Sequence, residues 1–143
     1  MGQRDQLMSI QHFATGTHLT RSVYLENFSA AGFAFSPASA SAAVRLTSAG
    51  EVERSLNGGA YANLFTWLLA GTGAGYECHM TMVSGTDFTG TLDTWLALSS
   101  NRTWSLSQSG IGTTSGVGTL SIRPVGGGVI ASCTVTVSAE VEP

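Results

Sequence analysis

The strongest constraint on this chain lies at its C-terminal end. Cys133, Val135, Val137, Ala139 and Val141 are apolar, and Thr134, Thr136, Ser138 and Glu140 between them are polar. Strict alternation over that length places the two sets on opposite faces of an extended strand, whereas in a helix it would scatter the apolar set around the axis. Such a strand needs paired neighbours and a second layer over its apolar face before it is stable. The rest of the sequence must supply both.

It does so in short pieces. Ala42, Val44 and Leu46 alternate with Ala43, Arg45 and Thr47, and a turn at Ser48-Ala49-Gly50 leads to a hairpin partner over residues 51–55. Asn57-Gly58-Gly59 is a strong turn signal, because both residues of a tight hairpin turn need positive φ. Residues 60–69 fit helical spacing (Tyr61, Leu64, Phe65, Leu68) as well as a buried strand, and read as irregular structure ending in a short strand. Tyr76, Cys78, Met80 and Met82 define one face of a clear strand, with Glu77, His79 and Thr81 on the other. Residues 95–98 form a short apolar edge, and Trp104 and Leu106 alternate with Thr103, Ser105 and Ser107. Gly-rich turns are expected to set these apart from strand text at 120–122 and at 125–129. Short strands with turn signals every dozen or so residues predict an all-β fold, an antiparallel β-sandwich over residues 39–143.

Composition agrees. Only 10% of the 143 residues are charged, against about 25% in ordinary domains. Ser, Thr and Gly take their place, a mixture suited to strands and tight turns rather than helix faces. There is no lysine, so Schiff-base chemistry and the phosphate-binding lysine of a P-loop are excluded. Six arginines against nine acids, with no basic run, leave no footprint for nucleic acid. No apolar run approaches a membrane span, and the first residues lack the pattern of a secretory signal, so synthesis in the cytoplasm is expected.

The residues offer little reaction chemistry. There is no G-x-S-x-G elbow, and His12 and His18 lie far from any strand pattern, while His79 sits on the polar face of its strand. Cys78 and His79 are adjacent on a strand and point to opposite faces, which prevents joint metal ligation. Cys78 and Cys133 both face inward and read as buried thiols acting as small hydrophobes, with a meeting across the sandwich left open. The pairs Glu51/Glu53 and Glu140/Glu142 read as edge-protecting charges. No cofactor, metal or catalytic residue is expected. One alternative is a sugar-stacking platform on Trp67 or Trp95 with Asp87 or Asp93, which would make the chain a carbohydrate-binding module for a host-surface glycan.

Residues 1–38 show no sustained period and hold Phe13, Phe28, Phe33 and Phe35 before an Ala/Ser run. This stretch reads as an extended N-terminal arm and linker with one or two short strands, whose Phe side chains would anchor on partners. Equally open is that Phe28, Phe33 and Phe35 cap the core of the main domain.

From Phe33 onward the chain resembles a β-sandwich module of tailed-bacteriophage structural proteins. The likeness is carried by Phe33-Ala-Phe-Ser-Pro37 with the Ala/Ser run after it, by residues 75–78, by residues 133–142 and by residues 90–104, most specifically Trp95-Leu-Ala-Leu98 followed by Arg102-Thr-Trp104. The resemblance implies an immunoglobulin-like sandwich in a virion, at a tail, collar, fibre or head-decoration position. Its partners would be other virion proteins and further copies of itself. It implies no catalytic residue.

Overall fold

A computed structural model describes residues 23–24, 28–35, 38–68, 71–83 and 87–143. The elements are β1 (Val23–Tyr24), β2 (Phe28–Phe35), β3 (Ser39–Leu46), β4 (Glu51–Leu56), β5 (Ala62–Thr66), β6 (Tyr76–Met82), β7 (Leu96–Ala97), β8 (Arg102–Ser109), β9 (Gly112–Pro124) and β10 (Ala131–Glu142). The described residues contain no helix.

Two sheets pack face to face as a β-sandwich. One runs β7-β6-β9-β10, with β1 and β2 laid end to end along the far edge of β10; the other runs β5-β4-β3-β8. All pairings are antiparallel except those of β1 and β2, which run parallel to β10 from Val23↔Ala131 to Phe35↔Glu142. The strand carrying the strict alternation is therefore central, and it alternates as its sequence dictates. Cys133, Val135, Val137, Ala139 and Val141 are buried, and the residues between them are half-buried. From the opposite sheet Val44, Leu46, Trp104 and Leu106 complete the core.

Several expectations are corrected. The Gly-rich turn expected before Leu120 is confined to Gly110 and Ile111, with Gly110 at φ 78°, and from Gly112 β9 runs unbroken for 13 residues. Gly116 and Gly118 are inward positions where a Cβ would meet the Phe88 ring at 3.0 Å and Met80 Sδ at 2.9 Å, so larger neighbours fill the space a side chain would take. Residues 125–129 are not a strand but the β9–β10 turn, with Gly126 at φ 79°. Residues 62–66 form a strand pairing β4, and Met82 runs past the core and is exposed. The Asn57-Gly58 signal is realised, with φ of 53° and 74°.

Residues 28–35, read above as part of an arm, form a strand of the first sheet. Asn57 ties β2 to the other sheet: its Nδ2 donates to Phe33 O (3.1 Å), and its Oδ1 accepts from Ser41 N (3.0 Å). Gly32 is packed so tightly against the Ser41 carbonyl that no side chain fits there. Phe13 lies outside the described residues.

Candidate docking surface

The face of β2 that points away from the core carries Ser29, Ala31, Phe33 and Phe35. Period-two geometry aims the two rings the same way, and they are 57% and 74% exposed. The neighbouring row on β10 sets Glu140 beside Phe33 and Glu142 beside Phe35. Glu140 is held above the usual carboxylate range, chiefly by a side-chain hydrogen bond with Glu142 and then by desolvation and the charge of Glu142. Ile111, 63% exposed, precedes the Gly112 that pairs Val141, at the same end of the sheet. Two adjacent exposed Phe rings on a short strand are unusual for a surface left to water.

The edge of β2 is a poorer docking element than its face. The Phe33 carbonyl is taken by the Asn57 amide. Close packing of Gly32 on β3 fixes the inward face of β2.

Of the four Phe side chains singled out from the sequence, Phe33 and Phe35 share this face. Phe28 does not join them: it is half-buried and meets Phe65 edge-on at 5.9 Å. Phe65 in turn contacts Trp67 at 5.7 Å.

The residues of a sugar platform are not assembled as that reading requires. Trp67 is fully buried and has no ring face open to solvent. Trp95 is half-buried on the outer face of β6, with the His79 ring and the Arg123 guanidinium each 3.8 Å from its ring centre. Those contacts take up the π surface on which a sugar would stack. Arg123 is itself held by Glu77 (2.7 Å). Asp93 is a turn former: at φ 59° its carboxylate accepts from Met82 N (3.1 Å) and its own N–H donates to Met80 O (2.8 Å). Asp87 is exposed, its N–H donating to Ser115 O.

Both cysteines are free and buried. They sit in one sheet, on β6 and β10, with β9 between them, because Cys78 pairs Ile122 and Cys133 pairs Leu120. A meeting across the sandwich is thus ruled out by topology. Burial pushes the Cys78 thiol up to about 12 and raises Cys133 further, so both stay protonated at neutral pH. His79 shares no face with Cys78, and its nearest hydroxyl is that of Thr81 at 3.5 Å. Among the described residues no three His, Cys, Asp or Glu side chains converge on a metal position.

Comparison with known proteins finds no matching family model, curated relative or solved structure. The surface must be read from its own chemistry.

Proposed function

We propose that the protein is a non-enzymatic structural subunit of a tailed-phage virion, docking on neighbouring subunits through the outer face of β2. The observation that carries this reading is the exposure of Phe33 and Phe35 as a pair on a strand otherwise locked into the sandwich. A rigid aromatic pair costs little entropy to bury and supplies the kind of anchor that dominates interfaces.

The strand pairing supports the immunoglobulin-like part of the reading. In such sandwiches the second and fifth strands belong to one sheet, and the third, sixth and seventh form the other. Here β3 pairs β8, while β6, β9 and β10 are consecutive neighbours, and β4–β5 is an added hairpin after β3. The position within the virion, whether tail, collar, fibre or head decoration, is part of the proposal and rests on the resemblance.

Light scattering on the full chain tests it. Burying each ring is worth about 1.5–3 kcal/mol, so replacing both should weaken self-association by two to four orders of magnitude. Wild type is expected to be oligomeric, and Phe33→Ser/Phe35→Ser a monomer with unchanged circular dichroism and a melting temperature that, unlike that of wild type, does not depend on protein concentration. Equal masses for the two proteins would overturn docking through this face.

A further inference from the structure

The outer face of the second sheet carries a separate feature. Between β3, β4 and β8 lies a trough of about 320 Å³, at the small end of the range for ligand sites. Its floor is a cross-strand row of Ser55, Ala43 and Ser105, followed by a row of Ser41 and Ser107. Small side chains on three adjacent strands leave the depression. Tyr61 and the Gly58-Gly59 turn line it beside β4, and Thr89, bridged to Ser105, lines it beside β8.

Its chemistry is narrow. Ser55 is only 5% exposed; it donates its hydroxyl hydrogen to Gly59 O (2.6 Å), so its oxygen remains a fixed acceptor in the lining. The hydroxyls of Ser41, Ser105 and Ser107 make no hydrogen bond within the described residues, and each can donate and accept. The charges nearest the trough cancel, since Arg45 is held by Glu53 (2.6 Å) and lies 3.7 Å over the Tyr61 ring. An extended peptide would need free backbone groups at a sheet edge. Here β3 and β4 are paired on both sides, and Thr89 occupies the outer edge of β8 at Ser105. What remains to recognise a ligand is a set of hydroxyls and one aromatic ring.

We infer that this trough binds a neutral saccharide of mono- or disaccharide size, with the serine hydroxyls meeting ring hydroxyls and Tyr61, one face of which is covered by Arg45, bounding the sugar on the β4 side. The site is distinct from the docking face of β2 and does not depend on it.

The test is amide chemical-shift mapping on the full-length protein, with maltose, cellobiose, N,N'-diacetylchitobiose and methyl mannoside as probes and glucuronic acid as the charged comparator. At least one neutral probe should shift Ser41, Ala43, Tyr61 and Ser105 saturably at millimolar concentration, and glucuronic acid should not. Ala43→Leu fills the floor without removing a hydrogen bond and should weaken that binding about tenfold or more at an unchanged unfolding midpoint. Ser107→Leu, at an exposed position, serves the same purpose if Ala43→Leu fails to fold. Three results would each overturn the inference: silence with all four neutral probes, shifts centred on Trp95, or undiminished binding by the filled variant.

Discussion

Replacing Gly32 by alanine tests whether β2 belongs to the sandwich. Its φ is not in the left-handed region, so the glycine is required for space rather than for conformation. An added Cβ would sit inside the van der Waals shell of the Ser41 carbonyl oxygen and 2.9 Å from Asn57 Oδ1. Both obstacles belong to fixed structure: the first is backbone, and the second is an amide held at both ends by Ser41 N and Phe33 O. Overpacking of this kind costs about 1–3 kcal/mol. If β2 lifts to relieve it, the Asn57-to-Phe33 hydrogen bond goes too, adding about 1 kcal/mol. The sum, about 2–4 kcal/mol, corresponds to a melting temperature roughly 6–16 °C lower for a chain of 143 residues. Thermal unfolding followed by the fluorescence of buried Trp67 and Trp104 reads the effect, and hydrogen exchange should show faster amides along β2 and its partner β10. An unchanged midpoint in Gly32→Ala would refute the packing of β2 against β3. It would return residues 28–35 to the status of an arm.

The two buried indoles should respond differently to Trp→Phe. Trp104 Nε1 donates to Thr91 O at 2.6 Å, whereas Trp67 Nε1 has no partner among the described residues. In urea unfolding, Trp104→Phe should therefore cost about 1–3 kcal/mol more than Trp67→Phe, because only the first strands an acceptor. The thiols should also be silent: at pH 8 a disulfide reagent should label Cys78 and Cys133 only at the rate of unfolding. Because burial pushes the folded Cys78 thiol from its ordinary 9.0 up to about 12, its contribution to stability is complete below about pH 9 and is lost as pH rises toward 12. Cys78→Ala should flatten that alkaline decline, as measured by denaturant midpoints across the range.

Much of the fold was legible because its strongest elements are strictly periodic. β10, β6 and β3 bury every second residue, and periodicity alone reveals that. β9 was hidden because its inward positions at 116 and 118 are glycine, a turn signal locally but a packing requirement once Phe88 and Met80 lie above them. β2 was hidden for a related reason: after Phe28 its inward residues are the small Ala30, Gly32 and Ala34, and Phe33 and Phe35 point out. Past Phe28 its hydrophobic pattern is inverted relative to a core strand, and the proposed docking rests on that inversion. The trough had no signal at all, since serines scattered over residues 41–107 meet only through the pairing of β3 with β4 and β8.

The low charge of the chain takes on meaning when its arginines are placed. Arg45 and Arg123 are each paired with a glutamate across neighbouring strands, and each lies over an aromatic ring; Arg102 donates to Ala97 O. The outer face of the first sheet holds Arg123 in its pair with Glu77 beside His79, and is otherwise mostly hydroxyl and methyl, ending in the Phe33/Phe35 pair beside Glu140 and Glu142. Burying such a face against a neighbour requires little desolvation of free charge, whereas a lysine- or arginine-rich face would lose several kcal/mol per unpaired ion. The two carboxyls are the exception. Glu142 holds the neighbouring Glu140 carboxyl above the usual carboxylate range, which favours protonation there. A surface with this balance is costly to leave in water at its Phe rings and cheap to bury elsewhere, which is the balance that the proposed docking through β2 requires.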